Sequence, residues 1–274
     1  MVTGAGGQLG RQLLSTLSAS GDDVVGLRHA DLDITSGARV RAALDTHRPD
    51  VVINAAAMTS VDGAESDVAR AEAVNAEAPG VIAAAVAQRG GRLLHVSTDY
   101  VFAGDAERPY EVDDPTGPRS VYGRSKLAGE RLVLASGGQV IRTAWVYGGG
   151  GTNFVTVIAD LARRRAGAEV VVDQTGSPTY AADLAAGLVE LGRSEVTTPV
   201  LHFANTGSAS RYEFAQAIYR ELGADPALVV GVATVQVARP APRPAWSVLS
   251  TRSWQESGLT EPRPWRSALS AALR

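Results

Sequence analysis

Three features of the 274-residue sequence predict an α/β fold with a doubly wound parallel sheet. The first half alternates short β-branched runs with alanine-rich stretches of helical periodicity. The runs, such as Val51-Val-Ile53 and Leu93-Leu94, are continuously apolar rather than alternating, as in parallel strands covered on both faces. A glycine-rich turn joins the first run to the first helical stretch, as in Rossmann-type dinucleotide-binding folds.

Met1-Val2-Thr3 reads as the first strand, followed by a helix at Gln8–Ala19 with Leu9, Leu13, Leu14 and Leu17 on its inner side. Three residues are few for the centre of a sheet, and the sequence leaves open whether the natural chain starts upstream of Met1. A strand at Asp23–Leu27, a helix at Ser36–His47 and a strand at Asp50–Asn54 follow. Separate helices at Asp67–Asn75 and Pro79–Arg89 lead to a strand at Arg92–Ser97, then a helix at Ser120–Ser136 and a strand at Gln139–Trp145.

After Tyr147 the texture changes. A glycine run, Gly148–Gly151, precedes a helix at Phe154–Arg165, a strand at Glu169–Val172 and a turn at Asp173–Pro178. A helix at Ala182–Gly192 and a strand at Val200–Ala204 return to the sheet. Then come a helix at Arg211–Leu222, an extended stretch at Val230–Val237, the proline-rich Arg239–Pro244 and a last helix at Trp265–Leu273. The expected division is a dinucleotide-binding domain over 1–146 plus about 178–205, and a smaller C-terminal substrate-binding lobe over about 147–177 plus 206–274.

The absence of cysteine removes disulfides, thiolate metal sites and cysteine nucleophiles. The four histidines (His29, His47, His95, His202) lack the spacing of a ligand pair, so no metal site is expected. A net charge of −3 gives no footprint for nucleic acid, and the longest apolar run, Val81–Ala87, is too short for a membrane span. The first residues read as a strand and turn rather than a signal peptide; a cytoplasmic protein is expected.

Two motifs carry chemistry. Gly4, Gly7 and Gly10 have GxxGxxG spacing, which suits a tight turn, a bare backbone beside a diphosphate and a close helix–strand contact, with the helix N-terminus facing the anion. Beyond the second strand the chain reads Leu27-Arg28-His29, with no carboxylate until Asp31; Arg28 therefore favours the 2′-phosphate of NADPH, NADH remaining possible. In Tyr122-Gly-Arg-Ser-Lys126 the ends share a helix face, so the lysine can lower the tyrosine pKa for proton exchange. Thr98, at the end of a strand, supplies a hydroxyl to complete a polarising pair.

With the glycine turn and Tyr-x-x-x-Lys, the sequence resembles the extended short-chain dehydrogenase/reductase superfamily. Asn54-Ala-Ala-Ala57, Val61-Asp-Gly-Ala-Glu65, His95-Val-Ser-Thr-Asp-Tyr-Val-Phe102, Arg142-Thr-Ala-Trp-Val-Tyr147 and Asp173-Gln-Thr-Gly-Ser-Pro-Thr179 make it similar, over nearly the whole chain, to the dTDP-4-dehydrorhamnose reductase family. The resemblance implies NADPH-dependent reduction of the C4 ketone of a dTDP-sugar, dTDP-6-deoxy-L-lyxo-4-hexulose. Tyr122 is then the proton donor, Lys126 its partner, and Thr98 the donor to the reacting carbonyl. Gly4, Gly7, Gln8, Leu9 and Gly10 line the diphosphate, Asp33 and Ile34 the adenine, and Ala55, Ala56 and Ala57 the ribose side. Asp99, Tyr100, Trp145 and Arg243 fall where that family contacts the sugar nucleotide.

Many members read Arg-Arg-Pro followed by Asn-Ser near the C-terminus, where this chain has Pro242-Arg-Pro-Ala-Trp-Ser247. Some form dimers around a magnesium held by glutamates; no matching ligands are identified here, so Mg2+ and a homodimer are left open. Epimerases and dehydratases of the superfamily are an alternative, since dehydratases also carry an acid after the threonine, as Asp99 does. A non-catalytic regulatory subunit is a further alternative, against which Thr98, Tyr122 and Lys126 argue. Replacing Tyr122 with Phe is expected to lower turnover by roughly 10²–10⁴ while cofactor binding is retained; steady-state kinetics with a cofactor titration measure both, and unchanged turnover removes the assignment.

Overall fold

The computed structural model describes residues 1–274. The chain runs β1 (Val2–Thr3), α1 (Gln8–Ala19), β2 (Gly26–Leu27), α2 (Gly37–His47), β3 (Val51–Asn54), α3 (Val61–Ser66), α4 (Val68–Glu72), a π-helical turn (Ala73–Glu77) and α5 (Ala78–Ala87). Then follow β4 (Arg92–Thr98), α6 (Val121–Ala135), β5 (Gln139–Thr143), β6 (Val146–Tyr147), α7 (Phe154–Arg163), β7 (Ala168–Val171), β8 (Thr175–Gly176), β9 (Thr179–Tyr180), α8 (Ala181–Arg193) and β10 (Val200–His202). The last elements are β11 (Ala209–Ser210), α9 (Arg211–Glu221), β12 (Val229–Val232), α10 (Arg252–Glu256) and α11 (Trp265–Leu273). No helix is long and apolar enough to cross a membrane.

Six strands form one parallel sheet in the order β10-β5-β4-β3-β1-β2. Its two faces explain the unbroken apolar runs. Ile53, Leu94 and Ile141 pack with Leu13, Leu184 and Leu188 of α1 and α8, while their neighbours Val52, Leu93 and Val140 pack with Val40, Ile82 and Val133 of α2, α5 and α6. The sheet-side cluster also takes in Trp254 and Leu259. A separate cluster joins α7, α9 and α11 through Val155, Ile158, Phe214, Ile218 and Trp265, with β7 and β12 paired beside it.

Several elements differ from the sequence reading. The second strand shrinks to Gly26–Leu27 because β1 offers only Val2 and Thr3 to pair with. The two helices expected between 67 and 89 join into one run through the π turn. Pro79 has no N–H to return to the carbonyl of Asn75 four residues back, which is where the ladder widens. The fifth strand ends at Thr143 rather than Trp145, since Trp145 takes a left-handed φ of 46° and Val146–Tyr147 pairs with β9 instead. Helices α3 and α10 were not expected; Ser60 caps the first by accepting from Gly63 N–H.

One buried ion pair ties the sheet to its covering helix. Arg142 on β5 reaches Glu130 on α6 with Nη2 at 2.8 Å and Nε at 3.0 Å, donates to the Val112 carbonyl at 3.1 Å, and lies over the Phe102 ring. Both side chains are almost fully buried. Arg142→Met is expected to cost about 3–5 kcal/mol by leaving a buried carboxylate uncompensated, and Arg142→Met with Glu130→Leu to recover most of that loss. Urea unfolding decides; a single-variant loss below about 1 kcal/mol contradicts the account.

Candidate active site

A cleft of about 970 Å³ runs along the carboxyl edge of the sheet. At one end the glycine turn sets its floor. Gly4 sits at φ 69°, and a Cβ there would lie 2.7 Å from the Ala56 backbone; a Cβ on Gly10 would lie 2.2 Å from the Gly4 carbonyl oxygen. Only glycine permits this closeness of β1, α1 and the segment after β3. Helix α1 starts at Gly7 without a side-chain cap. The N–H groups of its first turn therefore suit an anion such as a dinucleotide diphosphate. The left-handed glycines at 148–151 close over this turn, with Arg11 donating to the Gly149 carbonyl at 2.6 Å.

Strand β4 and helix α6 bring the reacting groups to the middle of the cleft. Thr98 ends β4, and Ser120 caps α6 by accepting from Gly123 N–H, which starts the helix so that Tyr122 and Lys126 both line the cleft. Lys126 is the only lysine among the 26 basic residues of the chain. Its Nζ donates to the Val96 carbonyl at 2.7 Å, and burial brings its pKa down to about 8. Tyr122 departs from the sequence reading: its pKa stands above the ordinary value rather than below it. Burial is the main cause, the Thr98 hydroxyl opposes it, and the nearby Asp99 and Tyr100 add to it. The phenol thus keeps its proton at neutral pH, as a donor to a developing alkoxide must.

The Thr98 hydroxyl donates to Asp99 Oδ1 at 2.9 Å and accepts from Tyr100 N–H at 3.2 Å. Asp99 is buried and its pKa rises to about 6. Burial raises it, while Ser247, Thr98 and the charge of Arg211 pull the other way. Oδ2 has no hydrogen-bond partner, and Ser247 Oγ beside it stands outside bonding geometry and is likewise unpartnered. Of the six buried side-chain polar atoms without partners, those of Gln8, Ser97, Asp99 and Thr143 belong to residues lining this cleft. Unsatisfied groups are rare in folded interiors, and their concentration here marks a surface shaped for a polar ligand.

Trp145 is held in its left-handed conformation between two neighbours. A Cβ on Gly176 would lie 2.5 Å from the indole ring, so the glycine of Asp173-Gln-Thr-Gly makes room for it. The guanidinium of Arg211 lies 3.5 Å from the ring centroid and also 5.0 Å from that of Phe154. Arg211, the first residue of α9, escaped the sequence reading. It lines the cleft, forms no ion pair, and burial brings its pKa down to about 10. The one sequence signal is Ser210-x-x-Glu213, a capping box that fixes the start of α9. Asn75 also went unnoticed: from the π turn it accepts from Met58 N–H at 2.9 Å and donates to Ser125 Oγ at 3.1 Å, pinning the cleft wall to α6.

Gly4, Gly7, Gln8, Leu9, Gly10, Asp33, Ile34, Ala55, Ala56 and Ala57 all line the cleft, as do Thr98, Asp99, Tyr100, Tyr122, Lys126 and Trp145. Arg28 and Arg243 do not. Arg28 packs beside Gly6 and is paired with Asp31 at 2.8 Å on the surface. Arg243 forks onto Asp62, with Nη1 at 2.9 Å and Nη2 at 2.7 Å, so its charge is already matched.

A family model described as the RmlD substrate binding domain matches residues 1–274. The chain is 52% identical over 280 residues to a dTDP-4-dehydrorhamnose reductase from Mycobacterium tuberculosis, an alignment covering 100% of this chain and 91% of that one. It is 46% identical over 276 residues to a Streptomyces antibioticus protein named a probable dTDP-4,6-dihydroxy-2-methyloxan-3-one 4-ketoreductase, covering 100% and 94%. The crystal structure of a dTDP-4-dehydrorhamnose reductase from Bacillus anthracis in complex with NADP superposes with a TM-score of 0.95 at 35% identity, covering 99% of this chain and 97% of that one.

The raised pKa of Asp99 has a consequence for stability. Its folded value of about 6 exceeds the ordinary 3.8, so the native state holds this proton more tightly than the unfolded chain. The stabilisation is full below the unfolded value and is lost as pH rises through 6. Asp99→Asn is therefore expected to raise Tm over the parent by a few degrees at pH 8, with the gain shrinking toward pH 4. Thermal unfolding across that range tests this, and a gain independent of pH contradicts it.

Proposed function

The chain belongs to the RmlD substrate binding domain family, and from that premise we propose that it reduces the C4 ketone of dTDP-6-deoxy-L-lyxo-4-hexulose to give dTDP-L-rhamnose, with NADPH as the reductant. One observation carries the reading: Thr98, Tyr122 and Lys126 share a single cleft with an uncapped helix N-terminus behind a glycine turn. The full-length similarity to the M. tuberculosis reductase supports it.

The cleft residues fit a dinucleotide. The first turn of α1 takes the diphosphate, Asp33 and Ile34 the adenosine side, and Lys126 the ribose beside the reacting centre. When bound, the cofactor supplies hydride to C4. Tyr122, protonated at neutral pH, delivers the proton to O4. Thr98 turns its hydroxyl from Asp99 Oδ1 to the ketone oxygen and stabilises the charge that develops there. Arg28 can leave an exposed pair that contributes little to stability and reach a 2′-phosphate, which supports NADPH over NADH. Residues about 147–177 and 206–274, apart from the stretch around Trp254 and Leu259 that packs on the sheet, form the lobe that receives the sugar nucleotide, and within it Arg211 meets the substrate diphosphate. Its uncompensated guanidinium suits a dianion, whereas the charge of Arg243 is held by Asp62.

Purified protein is expected to oxidise NADPH one-to-one with formation of dTDP-L-rhamnose. Product obtained only from a different dTDP-4-keto sugar would place the chain with relatives such as the S. antibioticus ketoreductase. Arg211→Met is expected to raise KM for the sugar nucleotide and Ki for dTDP by about 10–100-fold, as loss of a charge-assisted hydrogen bond does, with KM for NADPH unchanged. An unaltered Ki for dTDP rejects the role given to Arg211.

A further inference from the structure

A chain of buried polar groups crosses the sheet edge and ends on Lys126. Thr3 Oγ1 donates to Asn54 Oδ1 at 2.6 Å, and Ala56 N–H donates to the same oxygen at 3.2 Å. Asn54 Nδ2 lies 3.0 Å from His95 Nδ1, and His95 Nε2 lies 3.3 Å from Lys126 Nζ. Asn54 and His95 are wholly buried. The polarity of this chain is fixed at its far end. A backbone N–H only donates, so Asn54 Oδ1 must face Ala56 and Thr3, and its amide nitrogen must face the ring. His95 Nδ1 therefore accepts, and the neutral ring carries its proton on Nε2. Burial and the adjacent lysine keep the ring neutral. The Nε2–H then points at Nζ. An ammonium offers only further N–H groups there, whereas an amine offers a lone pair.

We propose that Thr3, Asn54 and His95 are positioning residues that lock the His95 tautomer, so that a ring N–H faces the sole lysine of the chain and favours its neutral amine. The function this serves rests on the reading above: a lysine that changes charge near neutral pH can return a proton toward Tyr122, one helical turn away, after each turnover.

The depressed pKa of Lys126, near 8, accords with this; burial is its main cause, and Glu130 opposes it from the same helix while paired to Arg142 of β5. The other charged groups on elements packed against α6 are engaged elsewhere or at a distance. From α3, Asp62 holds Arg243 and Glu65 accepts from Val121 N–H; from α4 and the π turn come Arg70, Glu72 and Glu77. From the turn after β4, Asp99 holds Thr98, beside Tyr100. Of all these only His95 stands within hydrogen-bond reach of Nζ.

Because Lys126 is the only lysine, 15N-lysine labelling of the full chain yields one Nζ signal. It is expected to titrate near pH 8 in the parent protein and about one unit higher in His95→Gln, where a carboxamide oxygen can turn to accept from the ammonium. Long-range 1H–15N spectra of the histidine-labelled parent are expected to show His95 protonated on Nε2. The group near 8 in the pH profile of kcat/KM should shift with the Nζ signal, whichever limb it forms. A ring protonated on Nδ1 overturns the proposal even if His95→Gln fails to fold, and so does a folded His95→Gln protein whose Nζ titrates as in the parent. A parent with no reductase activity instead defeats the functional reading, and the two spectra still decide the tautomer.

Discussion

The parallel register of four strands is the constraint on which the rest of the molecule depends. Thr3 stands level with Asn54, Asn54 with His95, and Thr98 with Thr143, so β1, β3, β4 and β5 present their last residues to one edge. Parallel pairing needs helical crossovers, and each crossover leaves this edge as a loop or a helix N-terminus. The cleft is the gap those departures leave. Its depth is set by the close approach of Gly4, Gly10 and the Ala56 backbone, a contact that any Cβ would abolish.

That edge also concentrates polar atoms. Two solutions coexist there. Thr3, Asn54 and His95 satisfy one another within the protein. Gln8, Ser97, Asp99 and Thr143 each leave an atom unmatched and face the cleft. A ligand with complementary groups finds in that wall polar atoms that the protein itself leaves unpaired. The fold is least self-sufficient where the chemistry occurs, and the strained φ of Trp145 belongs to the same pattern.

Sequence reasoning reached this edge unevenly, for physical reasons. The sheet strands and α1, α2 and α6 are legible because burial on both faces of the sheet and on one face of each helix leaves periodic marks, and the glycines and Tyr122–Lys126 because their spacing is their function. Trp145 was placed in a strand since its residue type says nothing of a left-handed φ; the reason lies 31 positions on, where Gly176 makes room for the indole. The π turn was hidden for a related reason. Pro79 signals a break, but only the packed structure shows the ladder widening instead and Asn75 turning to hold Met58 and Ser125. Arg211 is one of many arginines, and its lack of an anionic partner is a property of three dimensions. Arg243 stands at the sugar nucleotide on the resemblance alone, and its pairing with Asp62, 181 positions away, leaves no mark in the sequence.

The contrast between these arginines and Lys126 shows what each kind of cation does. A guanidinium stays charged under all ordinary conditions, so it suits sites where charge must persist: in the buried pair with Glu130, in the fork onto Asp62, and against Trp145. An ammonium can lose its proton when desolvated. The chain uses lysine once, at the one position where burial, a neutral histidine and a tyrosine that keeps its proton converge. An arginine there would preserve the charge and remove the ability to change it. The same desolvation acts in opposite senses on two residues one helical turn apart, making Tyr122 a poorer acid and Lys126 a better one. Two proton affinities that nearly coincide in water are thereby driven apart, so that a proton on the Lys126 ammonium passes downhill to a tyrosinate left one turn away on α6.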